Sequence, residues 1–161
     1  MSFDHNNKLV INSSGHVTMP SQPAFKAGRS SSVAIGAGQV IVFDSEEFDV
    51  SNSYNASTGR FTAPTAGYYH FSTLVIYEGV ADGANFDDGF SIYKNGSRIT
   101  YSFRRAEYVN GTTGNGGYYT DWANILVYLA ANDYVEVINL RASLTIHGNS
   151  TFCWFYGYKV S

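Results

Sequence analysis

Two stretches of this sequence gather the side chains that could do chemistry. The first is acidic. Asp82, Asp87 and Asp88 stand together in a short polar segment between Glu78 and Gly89. Hard carboxylate oxygens grouped so closely are ligands for calcium, and the same residues also suit a solvated loop. The second stretch runs from Tyr108 to Trp122. It carries Tyr108, Asn110, Asn115, Tyr118, Tyr119 and Asp121 among threonines and glycines. Aromatic rings offer contact area at low entropy cost, and small polar groups adapt their hydrogen bonds, so this composition reads as a ligand-binding loop. A sugar suits it, since rings stack on sugar CH faces and amides bond hydroxyls. The competing reading is a glycine-rich connection whose aromatics, Trp122 above all, turn into the core.

Other reaction chemistry is not supported. His5, His16, His70 and His147 are scattered, and none forms a His-Glu-x-x-His pair or stands near a cysteine, so no zinc site is expected. His70, flanked by Tyr69 and Phe71, reads as a structural residue of a strand. No Gly-x-Ser-x-Gly elbow supports a nucleophilic serine. The glycines between 111 and 117 lack the spacing and the following helix of a dinucleotide fingerprint. Cys153 is the single cysteine, which excludes an internal disulfide, and in its apolar surroundings it reads as a small buried hydrophobe. Five Asn-x-Ser/Thr sequons, at Asn12, Asn55, Asn95, Asn110 and Asn149, read as chance in loops rich in these residues. The expectation is a protein that binds rather than catalyses, with no cofactor; calcium at Asp82, Asp87 and Asp88 is the weak candidate, and the solvated loop is the favoured reading.

The elements that would position these loops are strands. Residues 8–11 and 16–19 read as a hairpin with a four-residue turn, ended by Pro20 and Pro23. It is too small to be stable alone and must dock on something larger. Short strands are expected at Phe25–Ala27 and Ser32–Ile35, with a buried one at Gln39–Asp44. Tyr68–Tyr77 is an aromatic and β-branched run, apolar on both faces near Leu74, Val75 and Ile76, as in a strand covered on both sides. Asn95-Gly96 is a strong hairpin signal between Phe90–Lys94 and Ser97–Phe103. Tyr118–Leu129, Tyr134–Leu140 and Phe152–Val160 complete about ten strands separated by turn clusters, which argues an all-β sandwich.

The segment from Phe43 to Phe71 has a fixed cadence: Phe43, Asp49, Tyr54, Phe61, Gly67, Tyr69 and Phe71. This pattern resembles the globular head family of complement C1q, the trimeric jelly rolls related to tumour necrosis factor. Seven of the eight family positions match, and Thr73 departs at the eighth. Pro23–Ala27 is similar to the family's first strand, Asp133–Val137 to its penultimate one and Ser150–Tyr158 to its last, although Trp154 stands where the family prefers glycine. The resemblance covers roughly residues 23–160. It implies a ten-stranded jelly-roll domain over residues 23–161, assembled as a homotrimer, with residues 1–22 as a hairpin attachment segment. Tyr69, Phe71, Phe152, Trp154 and Tyr158 are then the candidates for the core and the trimer interface, which residue faces which being open. In some relatives calcium sits near the trimer apex. Asp87 falls near one such ligand, whereas the partner position falls at Asn95 or Gly96, without a carboxylate.

Composition narrows the partners. Charged residues are only 14% of the 161, against 16% aromatics with 13 Tyr and 11 Phe. Such a surface suits burial against a partner. A net charge of −3 leaves no electrostatic footprint for nucleic acid. No run approaches the ~20 apolar residues that span a bilayer. Residues 1–8 lack the apolar region of a signal peptide. There is no collagen-like repeat, and the path from Ser13-Ser14-Gly15 through Met19-Pro20-Ser21-Gln22-Pro23-Ala24-Phe25 resembles the connector ahead of similar heads in phage fibres and other virion surface proteins. The expectation is therefore a trimeric virion surface protein. It would be a fibre tip engaging a host cell-surface glycan, or a head decoration protein bound to other virion proteins through residues 1–22. The alternative is a secreted, extracellular recognition module.

Overall fold

The computed structural model describes residues 10, 11, 13–80, 89–105, 117–141 and 144–161. Among these residues there is no helix, and every ladder is antiparallel. The strands are β1 (Val10–Ile11), β2 (Val17–Thr18), β3 (Ala24–Gly28), β4 (Val33–Ile35), β5 (Ser45–Asp49), β6 (Tyr54–Asn55), β7 (Arg60–Thr62), β8 (Gly67–Val80), β9 (Phe90–Lys94), β10 (Ser97–Arg98), β11 (Phe103–Arg105), β12 (Gly117–Leu129), β13 (Tyr134–Asn139), β14 (Leu144–Ile146) and β15 (Trp154–Lys159). They form two facing sheets and a separate hairpin. One sheet has the order β10-β9-β13-β7-β6. The other runs β11-β12-β8-β15-β3-β5, with β14 joining β8 to β4.

The long strands β8 and β12 pair from Gly67 opposite Leu129 to Gly117 opposite Val80 and form the spine of the larger sheet. Their inward residues alternate with outward ones, as the pleat requires. Phe25, Phe61, Phe71 and Phe155 fill the space between the sheets. Phe25 stacks on Tyr54 with ring centroids 4.7 Å apart, and Phe61 meets Phe71 edge-on at 5.3 Å. Offset and edge-to-face rings of this kind add to what area burial alone contributes.

The Phe43–Phe71 cadence has a physical account, position by position. Phe43, Phe61, Tyr69 and Phe71 are completely buried. Tyr54 donates its hydroxyl to the Phe43 carbonyl at 2.9 Å, and Tyr69 donates to the Thr65 carbonyl at 2.7 Å, so both phenols are buried without orphaned protons. Asp49 accepts the backbone N–H groups of Tyr54 (2.6 Å) and Ser51 (3.2 Å), which holds the turn between β5 and β6. Gly67 has φ of 153°, and a side chain there would run into Ser161. Thr73, the departure from the family pattern, is fully buried and gives its hydroxyl to the Trp154 carbonyl at 2.9 Å.

The structure corrects three expectations. Gln39–Asp44 is not a strand. Val40 makes one isolated bridge to Ile138, and Ser45–Asp49 forms the ladder instead. Ten strands were expected, and fifteen occur among the described residues, two of them in the hairpin. One cause is a change of sheet: residues 97–98 pair with β9 and residues 103–105 with β12, so one run of chain serves both layers. The hairpin pairs Ile11 with Val17 and Val10 with Thr18, which leaves a longer connection than the expected four residues. It forms its own two-stranded sheet, with Ile11, Val17 and Met19 exposed. Lys8 and Leu9 lie outside the described residues.

Candidate functional site

The outward face of the larger sheet is lined with aromatic and aliphatic side chains. Alternation from the buried Tyr69, Phe71 and Val75 turns Tyr68, His70, Leu74 and Ile76 of β8 outward. The register then builds rows across the sheet. Tyr68 lies opposite Tyr128, and their rings meet edge-on at 5.5 Å. His70 lies between Leu126 on β12 and Tyr158 on β15, with 5.2 Å between its ring and that of Tyr158. Leu74 lies between Trp122 and Trp154, and Trp154 stacks on Tyr156 at 5.3 Å. Trp122 in turn packs on Phe103 of β11 at 5.5 Å. Leu126 is 59% exposed and Tyr128 51%, values that in a chain with nothing against this face mark it as incompletely covered. His70 Nδ1 is buried here without a hydrogen-bond partner.

The five residues expected at the core and interface divide accordingly. Tyr69 and Phe71 are inside the sandwich. Trp154 and Tyr158 belong to the outward face, and Phe152 is exposed at its end. The expectation that Trp122 is core is corrected: its ring is 41% exposed on the same face.

At the end where β8 finishes, a polar cluster borders this face. His147 Nδ1 and the Glu78 carboxylate make an ion pair and hydrogen bond. Ser32 Oγ donates to the same Glu78 oxygen at 2.8 Å and accepts the Gly148 N–H at 2.9 Å. Tyr118 meets the His147 ring edge-on at 5.6 Å, and Phe152 lies against it at 5.9 Å. Partial burial works to raise the Glu78 carboxyl, but the hydrogen bonds from His147 and Ser32 outweigh it and hold the group below the usual carboxylate range. The cluster contains serine, histidine and glutamate, yet the serine bonds the carboxylate and not the imidazole. A nucleophilic pair needs the serine proton on the histidine. The arrangement suits binding: two exposed rings flank a polar edge of carboxylate, imidazole and hydroxyl.

The ligand-binding candidates separate by strand parity. Tyr118 is 47% exposed and belongs to the cluster. Tyr119 and Asp121 point the other way. Tyr119 is part of the core, and Asp121 is 4% exposed and receives the Ser102 hydroxyl at 3.4 Å, so both are structural, a correction of the expected ligand role. Tyr108, Asn110 and Asn115 lie outside the described residues, as do the calcium candidates Asp82, Asp87 and Asp88. Among the described residues no group of three or more His, Cys, Asp or Glu is placed to hold a metal. Sequence reasoning missed Ser32, Glu78 and His147 as a group, and no spacing signal could have joined them. Cys153 is buried, and burial pushes its thiol up to about 11, far from a nucleophile's range. No helix among the described residues is long and apolar enough to cross a membrane.

Comparison with known proteins follows the same lines. The C1q domain family model matches residues 24–158. The globular domain of zebrafish complement 1qA is similar in structure, with a TM-score of 0.64 at 15% identity over 87% of this chain and 98% of that one. Eiger TNF from S. frugiperda has a TM-score of 0.68 at 11% identity, over 87% and 94%. Murine APRIL at pH 8.0 has a TM-score of 0.64 at 12% identity, over 86% and 99%. At these identities the likeness to solved structures is one of fold. No curated protein matches the chain.

Proposed function

The chain belongs to the C1q domain family, and on that premise we propose that it is a trimeric, non-enzymatic binding head. The aromatic outward face of β8, β12 and β15 is the observation that carries this reading. Such a face loses water-exposed apolar area when sister copies cover it, at ~25 cal/mol per Å² buried. The trimeric jelly rolls that the sequence resembles favour closure at three copies. Light scattering tests it: a mass near three times 17.7 kDa at micromolar concentration is expected, and a mass of 17.7 kDa overturns it.

In this reading the Tyr118–His147–Phe152 cluster binds the ligand at the end of the trimer, and a cell-surface glycan is the class that its rings and polar groups suit. Two settings for the head follow from different observations. The separate hairpin with exposed Ile11, Val17 and Met19 favours a virion surface protein, a fibre tip or decoration protein docked through residues 1–22. The structural likeness to a zebrafish complement head and to Eiger TNF favours an extracellular recognition module. Deleting residues 1–22 separates them. The virion reading requires that the truncated trimer fold but fail to join particles. The extracellular reading requires that it bind cells undiminished.

A further inference from the structure

We propose that the outward face of the smaller sheet carries a second binding site, in which Arg98, set beside the rings of Tyr93 and Tyr101, takes the carboxylate of an acidic saccharide. This goes beyond the reading above, since the site is on the sheet opposite the aromatic face. Ile92 is fully buried, so the pleat turns its neighbour Tyr93 outward. The register then lays out one row across four strands: Arg98 on β10 opposite Tyr93 on β9, Tyr93 opposite Glu136 on β13, and Glu136 opposite Arg60 on β7.

The two arginines of this row are alike in one respect and unlike in another. Arg60 lies 3.8 Å above the Tyr134 ring, and two of its nitrogens, Nε at 3.1 Å and Nη2 at 2.8 Å, meet the Glu136 carboxylate. Ring beneath, carboxylate on the edge: both requirements of a guanidinium are met inside the chain. Arg98 has the rings, with Tyr101 at 4.8 Å and Tyr93 at 5.9 Å, and donates Nε to the Tyr93 hydroxyl at 3.4 Å. Among the described residues no carboxylate pairs with it. Lys26, Arg29, Arg60 and Lys94 each have an acidic partner there, whereas Arg98 has none among the described residues.

The ring contacts and the Tyr93 hydrogen bond restrict the guanidinium before any ligand arrives, which lowers the entropy cost of binding. A guanidinium carries five N–H donors, so donors remain beside those turned to the tyrosines to take a planar carboxylate. Tyr101 is 55% exposed beside it and offers a face for a sugar ring. A peptide fits less well. β10 is the edge strand of its sheet but only two residues long, so an extended chain finds few backbone partners there.

Isothermal titration calorimetry on the full chain tests this with trigalacturonate as probe, maltotriose as the neutral sugar and tetraglutamate as the acidic peptide. Trigalacturonate should bind, maltotriose should not, and tetraglutamate should bind more weakly. Arg98→Gln should weaken trigalacturonate binding about tenfold or more, as expected for a charge-assisted pair. Arg98→Lys should fail to restore it, because an ammonium neither forks nor stacks as a guanidinium does. Melting temperature and assembly mass should be unchanged in both variants. Absent trigalacturonate binding, undiminished affinity in Arg98→Gln, or equal binding of tetraglutamate overturns the proposal. A changed assembly mass in Arg98→Gln also overturns it, because Arg98 is then a contact between copies.

Discussion

The ring of Phe71 occupies the space that a side chain on Gly157 would need. The two residues are register partners on β8 and β15, and a Cβ on Gly157 would collide with Phe71 and come within 3.0 Å of Phe25 Cε1. Gly157→Ala should therefore destabilise the fold by about 1–3 kcal/mol, the usual cost of an overpacked core. A lowered urea midpoint at unchanged slope checks this, and an unchanged midpoint shows that the core yields.

Leu126→Asp puts a charge on the outward face of β12 without touching the core. If that face joins copies, the variant should fall to monomer mass in sedimentation. Its near-ultraviolet circular dichroism should stay native, because Leu126 makes no part of the inner packing. A variant that keeps the wild-type mass places the contact elsewhere.

Tyr118 and Tyr119 should respond in opposite ways. Tyr118→Ala should reduce binding to a glycan array while the melting temperature holds. Tyr119→Ala removes a core side chain and should cost about 3–5 kcal/mol of stability. Equal effects of the two substitutions on binding would remove the cluster as the ligand site.

The Glu78–His147–Ser32 cluster makes stability depend on pH. The folded Glu78 carboxyl titrates below the ordinary glutamate value of 4.5, so the folded state binds its proton less readily than the unfolded one. Its stabilisation is fully present above about pH 4.5 and is lost as the pH falls through the lower folded value. Glu78→Gln should flatten that part of the acid limb in thermal melts taken from pH 6 to pH 3. An unaltered limb would assign acid lability to other carboxylates, Asp44 among them.

Local rules made much of the fold legible in the sequence. The Phe43–Phe71 cadence could be read because several members answer a demand within the same stretch: Asp49 caps a turn a few residues on, Tyr54 and Tyr69 reach the carbonyls of Phe43 and Thr65, and Gly67 takes a backbone conformation that side chains avoid. Tyr68–Tyr77 reads as doubly covered because both of its faces are apolar, and the structure leaves one of them bare within a single chain. Strand parity was not legible. Tyr118 and Tyr119 are both tyrosines, and the register of β12 along β8 decides which one points out. The binding cluster was not legible either. Ser32 and Glu78 are 46 residues apart, and Glu78 and His147 are 69 apart. Only the pairing of β14 with both β4 and β8 brings them together. Hydrogen bonds and alternation act over a few residues and leave a mark on the sequence. Contacts made by laying one strand beside another depend on the whole chain's path, and tertiary structure alone decided them.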